Sequence, residues 1–179
     1  MNRAMQQSNT SRRGFTLIEM ITVVVVIGIV SALMVPMLGD TGQSKLVAAA
    51  NLIAADIGYA QIESISHADD LRFVLFDLDN NSYFIAATSD LSTPITNPIG
   101  NKPYRVTFGT GSNRQLSGVA ISSVSMGGDN QIRFGIYGEL DQATDATVTL
   151  TCDGYQITVI IDPTCGDIGM SEITAITEE

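Results

Sequence analysis

Apolar positions follow three different patterns along the chain. From Phe15 to Val35 they are nearly continuous, broken only by Thr16, Glu19, Thr22, Gly28 and Ser31. As a helix rising about 1.5 Å per residue, this run reaches roughly 30 Å, the thickness of a bilayer's hydrocarbon core. It predicts a retained membrane helix over residues 15–36, closed by Pro36, with Gly39 and Gly42 marking a flexible joint. Next, Leu46, Ala49, Ala50, Ile53, Ile57 and Ala60 recur at three- and four-residue spacings, the stripe of an amphipathic helix that packs on a sheet. That helix is assigned to residues 37–66. Gly58 within it is either a site of close helix-to-sheet approach or a surface glycine.

Past Leu71 the period becomes two. Leu71–Phe76 and Ser82–Ala86 flank Asp77-Leu78-Asp79-Asn80-Asn81, which reads as a hairpin turn. The same acids resemble half of a calcium loop, but the sixth-position glycine and twelfth-position glutamate are missing, so the turn is preferred. Residues 88–103, with Pro94, Pro98 and Pro103, read as a surface loop. Further strands are expected at Tyr104–Phe108, Val119–Ser125, Gln131–Tyr137, Ala146–Cys152 and Tyr155–Ile161, the last two joined by Asp153-Gly154. The β-rich domain covers residues 67–168, and residues 169–179 are expected to be a weakly ordered tail. The fold class is therefore α+β, a long N-terminal helix followed by antiparallel strands.

Charge adds direction. The chain carries a net charge of −10, yet Arg3, Arg12 and Arg13 precede the apolar run with no acid beside them. From Glu19 onward six bases face all 19 acids, a net of −13. This asymmetry predicts a cytoplasmic N-terminus and an exported, periplasmic or extracytoplasmic C-terminal domain. An acidic domain disfavours nucleic acid as its main partner, although Lys102, Arg105 and Arg114 could form a local basic patch. Cys152 and Cys165 both lie in the exported part, where an oxidising compartment favours a disulfide between them. The alternative is two unrelated buried thiols. With one histidine, His67, no zinc site is expected, and no other metal or cofactor is implied.

The N-terminal segment differs from an ordinary secretory signal, because the apolar run is too long and no A-x-A site follows it. Glu19 is its one anomaly, since a carboxylate in lipid costs on the order of a few kcal/mol. It either reaches the headgroups or meets a cation within the membrane or an assembly. Arg12-Arg13-Gly14-Phe15-Thr16-Leu17-Ile18-Glu19 resembles the cleavage and methylation motif of type IV prepilins and type II secretion pseudopilins. The resemblance is close over residues 10–40. More faintly, Ile132–Gly138 and the segments after it resemble the minor pseudopilin H type.

The resemblance implies that residues 1–14 are a leader, removed after Gly14 by a prepilin peptidase that also methylates the new Phe15 amine. Glu19 would then pair with the Phe15 amine of a neighbouring subunit. Such pairing neutralises two charges in a low-dielectric core and penalises a subunit out of register. The implied partners are the peptidase/methyltransferase, other pilin or pseudopilin subunits, an inner-membrane assembly platform and, before assembly, the lipid bilayer. The implied function is structural, as a minor pilin or pseudopilin of a pilus or secretion filament. A filament-tip adhesin or binding subunit is the alternative. A membrane-tethered enzyme lacks support, because the chain has no G-x-S-x-G, no nucleophile–histidine pair and no nucleotide loop.

Overall fold

The structure, a computed structural model, describes residues 15–34 and 41–176. They fall into two units that divide after Asp40. The first holds helix α1, Leu17–Met34. Thr16 opens it, its Oγ1 accepting the Glu19 N–H at 3.3 Å, as an N-capping threonine does. Gly14, Pro36 and Gly39 lie outside the described residues. No helix among the described residues is long and apolar enough to cross a membrane. As described, α1 is about 27 Å long, and the end of the expected span at residues 35–36 is outside the described set.

The second unit begins with helix α2, Thr41–Ser66. Its expected stripe is the core: Leu46, Ala49, Ala50, Ile53, Ile57 and Ala60 are fully buried. Burying each large aliphatic side chain contributes about 1.5–3 kcal/mol. Gly42 is no joint but a buried first-turn residue of α2. A Cβ there would lie 2.9 Å from Asp153 Cβ, so only glycine lets α2 approach the turn that carries Asp153. Gly58 meets only an ordinary contact with Ile168.

Among the described residues ten strands follow: β1 Arg72–Asp77, β2 Ser82–Ala87, β3 Asp90–Pro94, β4 Arg105–Thr107, β5 Ala120–Ser125, β6 Gln131–Arg133, β7 Ala146–Cys152, β8 Tyr155–Ile161, β9 Ile168–Met170 and β10 Thr174–Ala175. They build two antiparallel sheets. One has the order β3-β2-β1-β6 with β4 also on β2; the other runs β10-β8-β7-β5 with β9 also on β8. α2 packs against β1 of the first sheet and against β7 and β8 of the second. In β7 burial alternates strictly, with Ala146, Val148, Leu150 and Cys152 inward and the threonines outward, as in a sheet solvated on one face. Asp153 and Gly154 adopt φ of 49° and 81°, the left-handed pair of a tight hairpin turn. At the β1–β2 turn, the Asp77 carboxylate accepts the Asn80 N–H and side-chain amide. Asn81, at φ 49°, ties the sheets together: its Nδ2 donates to the Val119 carbonyl and its Oδ1 accepts the Ile121 N–H.

Several expectations are corrected. The loop over residues 88–103 contains strand β3, exposed along most of its length. The strand expected to reach Tyr137 stops at Arg133, because the chain turns at Gly135–Gly138, with Gly138 at φ 86°. Residues 169–176 are not a loose tail. β9 and β10 pair with β8, and Ser171 Oγ accepts the Thr158 N–H. The disulfide is also absent, and both cysteines are free. Cys152 pairs with Tyr155 at the turn end of the β7–β8 hairpin, and Ile161 pairs with Ala146 at the other end. Cys165 follows Ile161, so the thiols are separated by most of a strand, about 20 Å at 3.3 Å per residue. A disulfide needs Cα atoms within about 7 Å. Sequence proximity misled because β8 carries the chain away from Cys152.

Cys152 is buried and Cys165 exposed, and burial pushes the Cys152 thiol above its ordinary value. A colorimetric thiol titration should therefore find Cys165 reactive in the native protein and Cys152 only after denaturation. Reductant should leave the melting temperature unchanged. Absence of any free thiol in the denatured, unreduced protein would refute the arrangement.

Candidate functional site

Of the residues that carry the sequence-based hypothesis, Glu19 lies on α1, Phe15 just before it, and Gly14 outside the described residues. Every large apolar side chain described there, from Phe15 to Val30, is 45–80% exposed. The helix is therefore apolar on all sides and packs none of them within its own unit. A helix of this kind requires lipid or other helices around it. Glu19 is the sole charged residue of α1 and sits in its first turn. Phe15 lies just before that turn, so the motif residues cluster at one end of a uniformly apolar rod. Thr22 Oγ1 donates to the Ile18 carbonyl at 2.8 Å, satisfying its hydroxyl within the helix.

In the second unit, the buried site that the sequence reading missed is a carboxylate. Asp56 faces inward from α2 between Ile53 and Ile57, only 7% exposed. Tyr83 of β2 donates to its Oδ2 at 2.6 Å, and Tyr104, just before β4, donates to its Oδ1 at 2.9 Å. Both carboxylate oxygens are thus satisfied by hydroxyls of the first sheet, the condition for burying such a group. Burial pushes the Asp56 carboxyl above the ordinary aspartate value, while the two tyrosine bonds pull it back down. Burial and the Asp56 charge raise both tyrosines. Tyr59 stacks on Tyr104 with ring centroids 5.3 Å apart. The signal was present in the sequence: Asp56 interrupts an apolar stripe at a position that points to the core.

Beside this network lies a cleft of about 400 Å3, walled by Leu52 and Asp56 of α2, by Asn97, Ile99 and residues 102–107, and by residues 110–113. Lys102 and Arg105 line it. Arg114 follows immediately in the short 3₁₀ segment Gly111–Leu116, so the three members of the suspected basic patch fall in or next to one cleft. His67 is elsewhere, at the end of α2, with Glu63 Oε2 3.4 Å from its Nδ1. Among the described residues no cluster of histidine, cysteine and acidic side chains could hold a metal ion.

Comparison with known proteins bears on both units. Residues 9–35 match the prokaryotic N-terminal methylation motif, in agreement with the motif read around Gly14 and Phe15. The fold is similar to that of the type IV minor pilin FimU of Pseudomonas aeruginosa, with a TM-score of 0.52 at 15% identity over 73% of this chain and 90% of that one. It is likewise similar to the minor pseudopilin EpsH from the Type 2 Secretion System of Vibrio cholerae, with a TM-score of 0.52 at 14% identity over 71% of this chain and 96% of that one. At these identities the likeness is one of fold, and it establishes the expected pilin-like α+β architecture. No curated protein sequence matches the chain.

The Asp56 network predicts a pH-dependent mutant. The bond from Tyr83 favours the ionised carboxylate, so Tyr83→Phe should cost about 1–3 kcal/mol where Asp56 is charged. The loss should be complete above the raised folded pKa of Asp56 and shrink as pH falls through it. Wild type should show the linked trend, its Asp56 contribution to stability declining as pH rises from the ordinary aspartate value through the folded one. Urea midpoints measured from pH 4 to pH 8 test this, and a pH-independent loss for Tyr83→Phe would refute it.

Proposed function

We propose that the chain is a structural subunit, a minor pilin or minor pseudopilin, processed after Gly14 and built into a filament through its N-terminal helix. The observation that carries this reading is α1, a helix apolar on every side with one carboxylate in its first turn. Such a surface is stable in two settings, a bilayer before assembly and a bundle of like helices after it. In this reading residues 15–36 span the inner membrane once, with residues before Phe15 in the cytoplasm and the domain from Thr41 outside it.

Processing supplies what Glu19 lacks. Cleavage of the Gly14–Phe15 peptide bond releases the leader and creates an amine on Phe15, which a methyltransferase then modifies. Methylated once, the amine still carries a positive charge. In a bundle of helices, the Phe15 amine of one subunit meets Glu19 of its neighbour and both charges are satisfied. A subunit displaced along the bundle leaves a charge unpaired in a medium of low dielectric constant, at a cost of several kcal/mol. Glu19 therefore sets the register, and the apolar side chains supply the bulk of the contact. The chain itself performs no chemistry in this scheme: a separate peptidase cuts and methylates it, and a membrane platform moves it.

The reading is supported by the methylation motif over residues 9–35 and by a fold shared with a minor pilin and a minor pseudopilin. Two measurements test it. Intact-mass analysis of protein from the native membrane should give a chain beginning at a methylated Phe15; a chain beginning at Met1 would overturn the assignment. Glu19→Ala should be cleaved normally yet fall at least about tenfold in sheared filaments, the loss expected for an unpaired buried charge. Normal incorporation of Glu19→Ala would remove the register role while leaving processing intact.

A further inference from the structure

The cleft beside Asp56 plays no part in assembly through α1, and its construction is that of an open sheet edge. Side chains alternate across a strand, so a cavity on one face of a strand touches every second residue. This cleft is lined by every residue from Lys102 to Thr107, and so runs along the backbone edge of β4. That strand pairs with β2 alone. The Ile85 N–H donates to the Tyr104 carbonyl and the Phe108 N–H to the Asn81 carbonyl. These bonds turn the backbone groups of Tyr104, Val106 and Phe108 toward β2, and the alternation turns those of Arg105 and Thr107 toward the cleft. Of these groups, the Arg105 N–H donates to the Pro103 carbonyl and the Thr107 carbonyl accepts from Thr110 Oγ1, which leaves the Arg105 carbonyl and the Thr107 N–H, one on each side of Val106, without a hydrogen-bond partner among the described residues. They are the acceptor and donor that an added strand would use.

Charge identifies the occupant. Among the described residues, Arg72 and Arg133 meet carboxylates, and Lys45 donates to the Ser117 carbonyl. Lys102, Arg105 and Arg114 have no carboxylate within 4.0 Å among the described residues. Arg105 instead lies over the Phe84 ring, 4.3 Å from its centroid. An acidic domain thus leaves Lys102 and Arg105 without an ion pair along this edge, with Arg114 next in sequence to the cleft wall at Asn113 and Asp77 felt by Arg105 only at longer range, a local charge opposite in sign to the domain's net charge.

We propose that β4 is a docking edge for an extended, acidic peptide segment of another protein chain, which adds to the first sheet as a strand. Main-chain hydrogen bonds at Arg105 and Thr107 hold the segment, and its carboxylates meet Lys102, Arg105 and Arg114. The proposal stands apart from assembly through α1, because it concerns the exported face of the domain.

The test uses the full chain in non-ionic detergent micelles and a fluorescein-labelled hexapeptide of alternating valine and glutamate, followed by anisotropy. Binding above that of empty micelles is expected at a Kd of roughly 100 μM or tighter. The double variant Lys102→Glu, Arg105→Glu should weaken it by at least about tenfold. The same peptide with alternate amides N-methylated keeps its charge but cannot pair as a strand, so it should bind at least about tenfold more weakly without any change to the protein. A valine–lysine twin should not bind. The proposal is overturned if the glutamate peptide fails to bind up to about 1 mM. It also falls if the lysine twin or the N-methylated peptide binds equally well, or if the double variant binds as wild type.

Discussion

The domain depends on one helix face. α2 lays a stripe of small and aliphatic side chains, interrupted at Asp56, against strands of two sheets. Removing α2 would expose the faces of β1, β7 and β8 that it covers. Small residues make the arrangement possible: Ala49, Ala50 and Ala60 bring the helix close to the strands, and Gly42 allows its first turn to meet the β7–β8 turn. The stripe supplies apolar burial but little directionality, since apolar contact is non-directional. Asp56 adds the direction. Its two oxygens accept hydroxyls from two separate positions of the first sheet, Tyr83 and Tyr104. A helix rotated or shifted by one residue would bury that carboxylate without partners.

The two units solve opposite problems. The domain hides its apolar surface internally and presents an acidic exterior, while α1 hides nothing and must be covered by its surroundings. That contrast explains why the only charge on α1 matters more than any single charge on the domain. A surface carboxylate is hydrated and interchangeable, whereas one on an apolar rod has no solvent to fall back on once the rod is buried. A strand edge behaves similarly. Its open backbone groups tolerate water but are satisfied better by another chain, which is why exposed edges are either protected or used.

The hairpins, the α2 stripe and the N-terminal motif were legible because each is a local pattern. Period two gave β1, β2, β7 and β8 within a residue or two, and Asp153-Gly154 marked its turn correctly. Period three-and-four gave the core face of α2. Features that depend on which strand meets which were not legible. The chain crosses between sheets near Gly127 and Gly128, both at positive φ, so β6 joins β1 rather than continuing beside β5. The tail folds back because β8 offers pairing positions to β9 and β10 that no local pattern announces. The cysteine pairing failed for the same reason, since the short stretch from Cys152 to Cys165 becomes the length of a strand.

By itself the sequence determined the apolar rod, its single carboxylate, the processing motif and the α+β class, because all four are properties of residues taken in order. Hydropathy, charge offset and side-chain periodicity need no partner to be read. Tertiary structure alone decided that the strands form two sheets, that the cysteines stay free, that Asp56 is buried between two tyrosines, and that β4 pairs with β2 alone and leaves an open edge. Each of these is a meeting of residues far apart in sequence, and such meetings are set by strand pairing and chain reversal. The rod at the N-terminus was therefore visible from the start, while the edge along β4 existed only once the chain had folded.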